Sequence, residues 1–267
     1  MSAFVATVLL FLLVPPFAFS QQVTRDGPAK TPAFSSVTYI ANEGFLIETA
    51  NHKILIDALF GNIRGNWCDQ PGDSVINLIL KGVPPFDNTD VLLVTQKHID
   101  HFNEAMTISF LENNMKSELI CPDQVNELLK HNAHYLQVAE RIHSFRSDTI
   151  FDHSLSVNNI KIRTMRFRHG PWFETDSMTG QRYDLHQGVE NFGYQVESDG
   201  FRLLHTGDCN TGNLSQFIKY GLFNQEFDAA FFDRVFLKPE GMNLINQFSG
   251  IKNLILMHIE PGRTDYY

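Results

Sequence analysis

Short apolar runs separated by polar residues predict β-strands in the first third of the chain. Residues 45–49 and 53–56 are rich in β-branched and aromatic side chains, and Ala50-Asn51-His52 between them is typical of a hairpin turn. Residues 90–95 form a continuous apolar run behind Pro84-Pro85. Such a run is typical of a central strand that is buried on both faces.

Strand and helix patterns then alternate. Residues 103–113 have helical spacing behind the capping residue Asn103, and Pro122 opens a second helical segment. The remaining elements are predicted from the same periodicities. Strands are expected at 117–121, 150–151, 155–157, 160–168, 192–197, 201–205, 227–232 and 253–257, and helices at 122–130, 214–220 and 241–248. Two strand-rich halves with helices predict two β-sheets packed face to face with helices outside.

Composition changes this picture little, but it limits the partners. The chain has 267 residues, of which 43% are hydrophobic and 19% charged, so it can build a large globular core. Its formal net charge is -9 and no cluster of Lys or Arg stands out. Because phosphate backbones are bound mainly by basic surfaces, nucleic acid is not an expected partner.

The amino-terminal segment predicts export. Residues 1–20 carry no charge, have an apolar core at 5–14 and end in Ala18-Phe19-Ser20, which is typical of a cleaved secretory signal peptide, although no Lys or Arg lies near Met1. An uncleaved anchor is the alternative, but Pro15-Pro16 leaves the run too short to span a bilayer. We therefore expect a secreted or periplasmic protein without stable membrane insertion, with residues 21–34 as a polar lead.

The three cysteines are Cys68, Cys121 and Cys209. An odd number leaves at least one thiol free or paired outside the chain. No two of them have the spacing of a zinc ribbon or a redox motif, and whether any two form a disulfide stays open.

Candidate chemistry collects at the ends of predicted strands. The apolar run that contains Val94 is followed by Gln96-Lys97-His98-Ile99-Asp100-His101, and three other strands end at His169, Asp208 and His258. In layered α/β folds the strand ends and their loops converge, so side chains placed there can share one site. Imidazole and carboxylate are ligands that suit zinc, which predicts a metal centre.

These motifs resemble the metallo-β-lactamase-fold hydrolase superfamily, whose first metal motif is H-x-H-x-D-H after a strand. Here that motif is residues 96–101, Asp57 matches the earlier strand-end acid, and His169, Asp208 and His258 follow in the family's order. The resemblance implies an α/β fold, a four-layer αβ/βα sandwich, formed as one hydrolase domain by residues 35–267. It also implies a centre for one or two ions, zinc above all, with iron or manganese as alternatives.

Carried over residue by residue, the resemblance implies two sets of ligands. The first ion would take His98 and His169, with Gln96 as a further candidate. The second ion would take Asp100, His101 and His258, and Asp208 would bridge both. The family usually has His where this chain has Gln96, and because an amide oxygen is a weaker donor to zinc, the first ion should bind less tightly.

Two other histidines have open roles. His186 lies in the loop of residues 171–190 and is an alternative to His169 as a ligand. We favour His169, because it directly follows a predicted strand. His205 precedes Thr206-Gly207-Asp208 and could orient a ligand or simply be a hydrogen-bonded residue at a strand end.

The implied reaction is hydrolysis by a metal-bound hydroxide, with Asp100 and Asp208 holding the nucleophile and its proton. The substrate is expected to be a small molecule with an ester, lactone, amide, thioester or phosphodiester bond. Loop residues 60–73 and the aromatic side chains Trp172, Phe173 and Tyr183 could wall its pocket. The Leu-Leu-His-Thr-Gly-Asp segment, ending at Asp208, resembles the lactonase-like branch. A β-lactamase and a metal-binding protein with little activity are the alternatives. No pattern in the sequence indicates an oligomeric state.

Overall fold

The computed structural model describes residues 35–65, 67–147 and 150–262. The predicted signal peptide, residues 1–20, and the polar lead, residues 21–34, lie outside the described residues. Among the helices in these ranges, none combines the length and apolar character needed to cross a bilayer.

The first sheet is built from six strands that lie side by side in chain order. They are β1 (Ser36–Ala41), β2 (Gly44–Glu48), β3 (Lys53–Ile56), β4 (Val91–Leu93), β5 (Glu118–Pro122) and β6 (Ile142–Phe145). The first three pair antiparallel and the rest parallel. Four helices belong to this half of the chain: α1 (Asp73–Leu80), α2 (Glu104–Asn113), α3 (Asp123–Leu129) and α4 (Tyr135–Val138). As predicted, Asn103 caps α2 by accepting a hydrogen bond from the backbone N–H of Met106.

The second half of the chain forms another six-stranded sheet and two small strand pairs. Its elements are β7 (Asp152–Val157), β8 (Ile160–Phe167), β9 (Phe173–Thr175), β10 (Arg182–Asp184), β11 (Asn191–Ser198), β12 (Phe201–His205), α5 (Leu214–Lys219), β13 (Glu226–Phe227), β14 (Ala229–Asp233), α6 (Pro239–Ile245), β15 (Gly250–Ile251) and β16 (Leu254–Met257). The large sheet has the order β16-β14-β12-β11-β8-β7, while β9 pairs with β10 and β13 with β15.

Three apolar clusters separate the layers. One contains Phe45 and Ile54 of the first sheet together with Phe192 and Phe231 of the second, so the two sheets pack face to face. A second joins the first sheet to the helices α1–α4, and a third joins the second sheet to α5 and α6. This arrangement of helices, sheet, sheet and helices confirms the predicted four-layer αβ/βα sandwich.

Three elements of the first half, α1, the four-residue helix α4 and β6, were not predicted. α1 follows Gly72, whose lack of a side chain leaves it without a capping hydrogen bond, and it is rich in β-branched residues that favour strands. β6 is a half-buried edge strand of only four residues, Ile-His-Ser-Phe, held by parallel pairing with β5. These three elements form because neighbouring layers cover their apolar side chains, which the local pattern does not encode.

The loop of residues 171–190 was predicted without structure, but it contains the antiparallel hairpin of β9 and β10. Arg182 stacks over the Phe173 ring at 3.8 Å from its centroid, an interaction that joins the two short strands. The hairpin is therefore an organised projection from the second sheet.

Tyr194 ties the two sheets together through hydrogen bonds. Its fully buried hydroxyl donates to the carbonyl of Val94, directly after β4, at 2.7 Å and lies 3.2 Å from that of Ile120 in β5. We expect Tyr194→Phe to lower the free energy of unfolding by about 1–2 kcal/mol, because buried carbonyls lose their donor. Urea denaturation measures this loss, and an unchanged midpoint would contradict it.

Asp199 joins the turns of both sheets. It accepts hydrogen bonds from the Thr49 hydroxyl and from the backbone and side-chain nitrogens of Asn51, each at 2.8 Å. Partial burial raises its pKa, but the hydrogen bonds from Asn51 and Thr49 outweigh this and leave the pKa lowered. Such a group stabilises the fold above its unfolded pKa, and the stability is lost as the pH falls through the folded pKa.

Asp199→Asn should therefore destabilise the protein at pH 7 by about 0.5–1 kcal/mol, a value reduced for solvent screening because the residue is exposed. The difference from wild type should shrink as the pH falls below about 4. Unfolding curves measured between pH 3 and pH 7 test this, and a difference that is independent of pH would argue against the charged hydrogen bonds.

Candidate metal centre

The carboxyl-terminal ends of strands from both sheets meet at one edge of the sandwich. Asp57 follows β3, residues 96–101 follow β4, His169 follows β8, Asp208 follows β12 and His258 follows β16. Isolated β-bridges between Leu59 and Phe102 and between His169 and Cys209 hold the loops of this edge together. The structure thus brings together all seven side chains that the sequence suggested as metal ligands.

Asp208 lies at the centre of this group. Its Oδ2 accepts a hydrogen bond from Gln96 Nε2 at 2.6 Å and lies 3.1 Å from His169 Nε2 and 3.3 Å from His101 Nε2. Its Oδ1 is buried without a hydrogen-bond partner among the described residues. Burial raises the pKa of Asp208, but His101 and His258 outweigh it and hold the pKa well below its usual value. Asp208 is therefore an anion aimed at three other candidate ligands.

Asp57 fixes the orientation of His101. Its carboxylate accepts hydrogen bonds from the Thr95 backbone N–H at 2.8 Å, from the Thr95 hydroxyl at 2.5 Å and from His101 Nδ1 at 2.8 Å. Because Nδ1 donates to the carboxylate, Nε2 of His101 is left facing Asp208. Asp57 has a positive φ of 41°, a conformation that costs a non-glycine residue about 1–3 kcal/mol. It positions a candidate ligand from outside the centre.

Asp100 and His258 form the opposite side of the group. His258 Nε2 lies 3.3 Å from Asp100 Oδ2, and Asn42 donates from its side-chain amide to the same oxygen at 3.4 Å. Burial lowers the pKa of His258, but Asp208 and Asp100 raise it to about 9. Arg234 donates to the His258 backbone carbonyl and contacts its ring. His258 also has a positive φ, 58°, so two strand ends of this edge are strained.

His98 and His169 lie on the remaining side. Their ring centroids are 5.0 Å apart, and His98, His169 and Asp208 offer ligand atoms within 4.8 Å of one another. Burial, followed by the neighbouring His169, lowers the pKa of His98 to about 4, so the His98 ring is neutral at pH 7. His169 Nε2 is buried and makes no hydrogen bond with the described residues. The His186 ring lies against the rings of both His98 and His169. The structure therefore places both candidates for the third ligand side by side.

Two acidic residues of the centre escaped the sequence analysis. Glu43, in the turn between β1 and β2, and Asp233, at the end of β14, offer ligand atoms within 4.8 Å of those of Asp208 and His258. Asp233 follows an apolar run, so the criterion of strand-end acids could have found it. Glu43 is 0% exposed, and neither of its carboxylate oxygens has a hydrogen-bond partner in the described ranges. No local pattern marks a turn glutamate as buried.

His205 supports the centre from behind it. Its Nδ1 accepts a hydrogen bond from the Gly207 backbone N–H at 3.2 Å, and its Nε2 lies 3.3 Å from the Glu43 carbonyl. Gly207 has φ +53°, and a Cβ there would lie 2.4 Å from the Asn191 side-chain oxygen, so this turn needs glycine. His205 therefore fixes the turn that carries Asp208 and is not itself directed at the other candidate ligands.

A divalent cation fits the chemistry of this site. Five buried atoms of the site that could bind a cation have no hydrogen-bond partner among the described residues: His169 Nε2, Asp208 Oδ1, Gln96 Oε1 and both carboxylate oxygens of Glu43. Buried polar groups normally have hydrogen-bond partners. An ion bound beside Asp208 would be a partner for these unpaired oxygen and nitrogen atoms. The three cysteines are buried and free, and they do not belong to these groups.

Comparison with known proteins identifies the family. Residues 52–264 match the family described as the Beta-lactamase superfamily domain, so the chain belongs to the beta-lactamase superfamily. No curated protein matches the chain significantly.

Solved structures share the fold at low sequence identity. A protein of Parabacteroides distasonis assigned as a metal-dependent hydrolase has a TM-score of 0.56 and 16% identity, over 88% of this chain and 86% of its own. Igni18, a metallo hydrolase of Ignicoccus hospitalis, has a TM-score of 0.53 and 14% identity, over 86% of each chain. CmlA, a diiron beta-hydroxylase of Streptomyces venezuelae, has a TM-score of 0.51 and 10% identity, over 86% of this chain but 46% of its own. At these identities the likeness shows the fold alone.

Proposed function

We propose that this protein is a metal-dependent hydrolase whose centre is built around Asp208. The observation that carries the proposal is the convergence of Gln96, His101 and His169 on one Asp208 oxygen while the other oxygen has no partner in the described chain. Membership of the superfamily supports the same reaction class. Imidazole and carboxylate ligands favour zinc, with iron or manganese as the alternatives.

The side chains divide the work between them. A bound divalent ion would lower the pKa of a coordinated water and polarise the carbonyl or phosphoryl oxygen of the substrate. His98 and His169 would hold one ion, Asp100, His101 and His258 a second, and Asp208 would lie between them. Asp100 and Asp208 would accept hydrogen bonds from the attacking water and take up its proton. Asp57 keeps His101 in the required orientation throughout.

The substrate is proposed to be a small molecule with an ester, lactone, amide, thioester or phosphodiester bond. The hairpin of β9 and β10 stands next to the centre, since the Trp172 ring lies 6.3 Å from the ring of His186. Trp172 is 59% exposed and Phe173 47%, so apolar surface is available beside the reacting bond. A lactone with an apolar side chain matches this wall and the lactonase-like motif.

Hydrolysis assays with purified protein test the function. The protein would be freed of metal, reloaded with zinc and offered aryl esters, lactones, bis(p-nitrophenyl) phosphate and nitrocefin. Turnover of any substrate that chelation abolishes and zinc restores supports the proposal. Turnover of nitrocefin alone would identify a β-lactamase. Zinc binding without any turnover would leave a metal-binding protein with little activity and overturn the enzyme assignment.

Export is part of the same proposal. A cleaved signal peptide at residues 1–20 would deliver the enzyme to the periplasm or the medium, where small-molecule substrates arrive from outside. Amino-terminal sequencing of the protein recovered from the periplasm and the medium should give Gln21 as the first residue. Recovery of the unprocessed chain from the cytoplasm would contradict export.

A further inference from the structure

Three imidazole rings meet beside Asp208, and they come from three separate segments. His98 lies in the loop after β4, His169 follows β8 and His186 lies between β10 and β11. The ring centroids are 5.0 Å apart for His98 and His169, 4.7 Å for His98 and His186, and 4.2 Å for His169 and His186. Two imidazoles that bind one zinc ion tetrahedrally at about 2.1 Å have ring centres roughly 5.2 Å apart. The His98–His169 separation is close to this value, and the two separations of the His186 ring are shorter by roughly 0.5–1 Å.

The hydrogen bonds of Gly170 determine which nitrogen His169 and His186 present. Nδ1 of His169 lies 2.6 Å from the Gly170 carbonyl oxygen, and Nδ1 of His186 lies 2.8 Å from the same oxygen. A carbonyl can only accept, so both Nδ1 atoms carry a proton, and Nε2 is the nitrogen that each ring has left to face an ion. Metal-binding histidines are usually oriented in this way, by donating their other N–H to a backbone carbonyl. Within the described ranges, no hydrogen bond reaches Nε2 of His186.

Gln96 can offer the site beside His98 and His169 only its amide oxygen. Its amide nitrogen lies 2.6 Å from Asp208 Oδ2 and 2.9 Å from His101 Nε2. The atom facing the carboxylate must be the nitrogen, because a carboxylate only accepts. Only Oε1 could bind an ion, and an amide oxygen is a weaker donor to zinc than imidazole. An ion held by His98, His169 and Asp208 therefore has room for a stronger fourth ligand.

We propose that Nε2 of His186 is a ligand of the ion bound by His98, His169 and Asp208. This inference rests on the proposed function. The group of ligand atoms within 4.8 Å contains His98, His169 and Asp208 but not His186, so binding needs a small rotation of the His186 ring or a shift of its loop. His186 lies in an exposed loop, flanked by the 53% exposed Leu185, where such a shift disturbs no core packing.

The same ligand would connect the metal to the substrate wall. The Asp184 carboxylate accepts hydrogen bonds from the backbone N–H of His186 at 3.0 Å and of Trp172 at 3.1 Å. The Trp172 carbonyl accepts one from the Leu185 N–H at 2.8 Å. Metal binding by His186 would therefore hold the base of the β9–β10 hairpin, with its exposed aromatic side chains, against the centre.

Metal binding by the full-length protein tests the inference without an activity assay. Zinc affinity would be measured by chelator competition, and the cobalt(II) protein by its visible absorption. We expect His186→Ala to weaken binding of one ion by more than about 100-fold, since loss of a supporting contact alone costs 10–100-fold. We also expect the cobalt band to weaken, because water in place of imidazole changes the ligand geometry. His134→Ala is the matched control, as His134 is exposed and bonds Glu112.

The outcomes separate the two proposals. If His98→Ala loses an ion while His186→Ala keeps wild-type zinc affinity and an unchanged cobalt spectrum, His186 is not a ligand, and the hydrolase proposal stands. A tenfold loss with an unchanged cobalt spectrum would also overturn direct ligation, because it marks a supporting contact. If wild-type protein binds neither zinc nor cobalt at micromolar concentrations, both proposals fail. Circular dichroism of each variant verifies that it is folded.

Discussion

Asp208→Asn is expected to reduce zinc affinity by at least about 100-fold and hydrolysis by about 1,000-fold. The carboxylate is the charge that Gln96, His101 and His169 all face, and its free Oδ1 is the atom left for an ion. Asparagine keeps the shape of the aspartate side chain but removes its negative charge. It also replaces one carboxylate oxygen by an NH2 group, which cannot bind an ion. Since loss of an outer contact already costs 10–100-fold, loss of a shared ligand should cost more. Zinc content after gel filtration and turnover of the best substrate measure both effects.

Asp87→Asn is the matched control for this substitution. Asp87 pairs with Lys53 at 2.7 Å, at the opposite end of β3 from the centre. Its replacement should leave zinc content and turnover unchanged. Equal zinc content in Asp208→Asn and wild type would remove Asp208 from the metal centre and with it the basis of the proposed mechanism.

Glu43→Gln should stabilise the metal-free protein at pH 7 by about 1–3 kcal/mol, an unusual direction for a buried substitution. Both Glu43 oxygens are buried without a hydrogen-bond partner in the described chain. Burial, and then the charge of Asp208, raise the pKa of Glu43 well above its usual value. The folded state therefore holds a proton more tightly than the unfolded state, and the wild type loses stability as the pH rises above the unfolded pKa of about 4.3. Glutamine does not titrate and avoids this loss.

Glu190→Gln is the natural counterpart. Glu190 is also buried, but its two oxygens accept hydrogen bonds from the backbone N–H groups of Ser147 and Gln124, each at 3.0 Å. Its replacement should therefore destabilise the protein by about 1–2 kcal/mol. Thermal unfolding in EDTA between pH 4 and pH 8 compares the two variants. If the stability gained by Glu43→Gln does not grow with pH, the buried charge is not its origin.

The layered fold could be predicted from the sequence, because the apolar runs that form its buried strands are visible in the local pattern of residues. The runs rich in β-branched and aromatic residues around Phe45 and Ile54 and the apolar run after Asp90 became strands of the first sheet, and nearly all of their residues are buried. The short elements α1 and β6 could not be predicted in this way. α1 lacks a side-chain cap and β6 is half-polar, so both depend on the layers that cover them.

The sequence by itself determined the strands and the order in which His98, Asp100, His101, His169, Asp208 and His258 follow their ends. Strand period and strand-end polarity are local properties, so they can be read without coordinates. Only the tertiary structure decided which side chains face one another. It placed Glu43 and Asp233 in the centre, directed His205 away from it and set His186 against His98 and His169. Those relations depend on how two sheets pack and on where a hairpin folds, which are contacts between residues far apart in the chain.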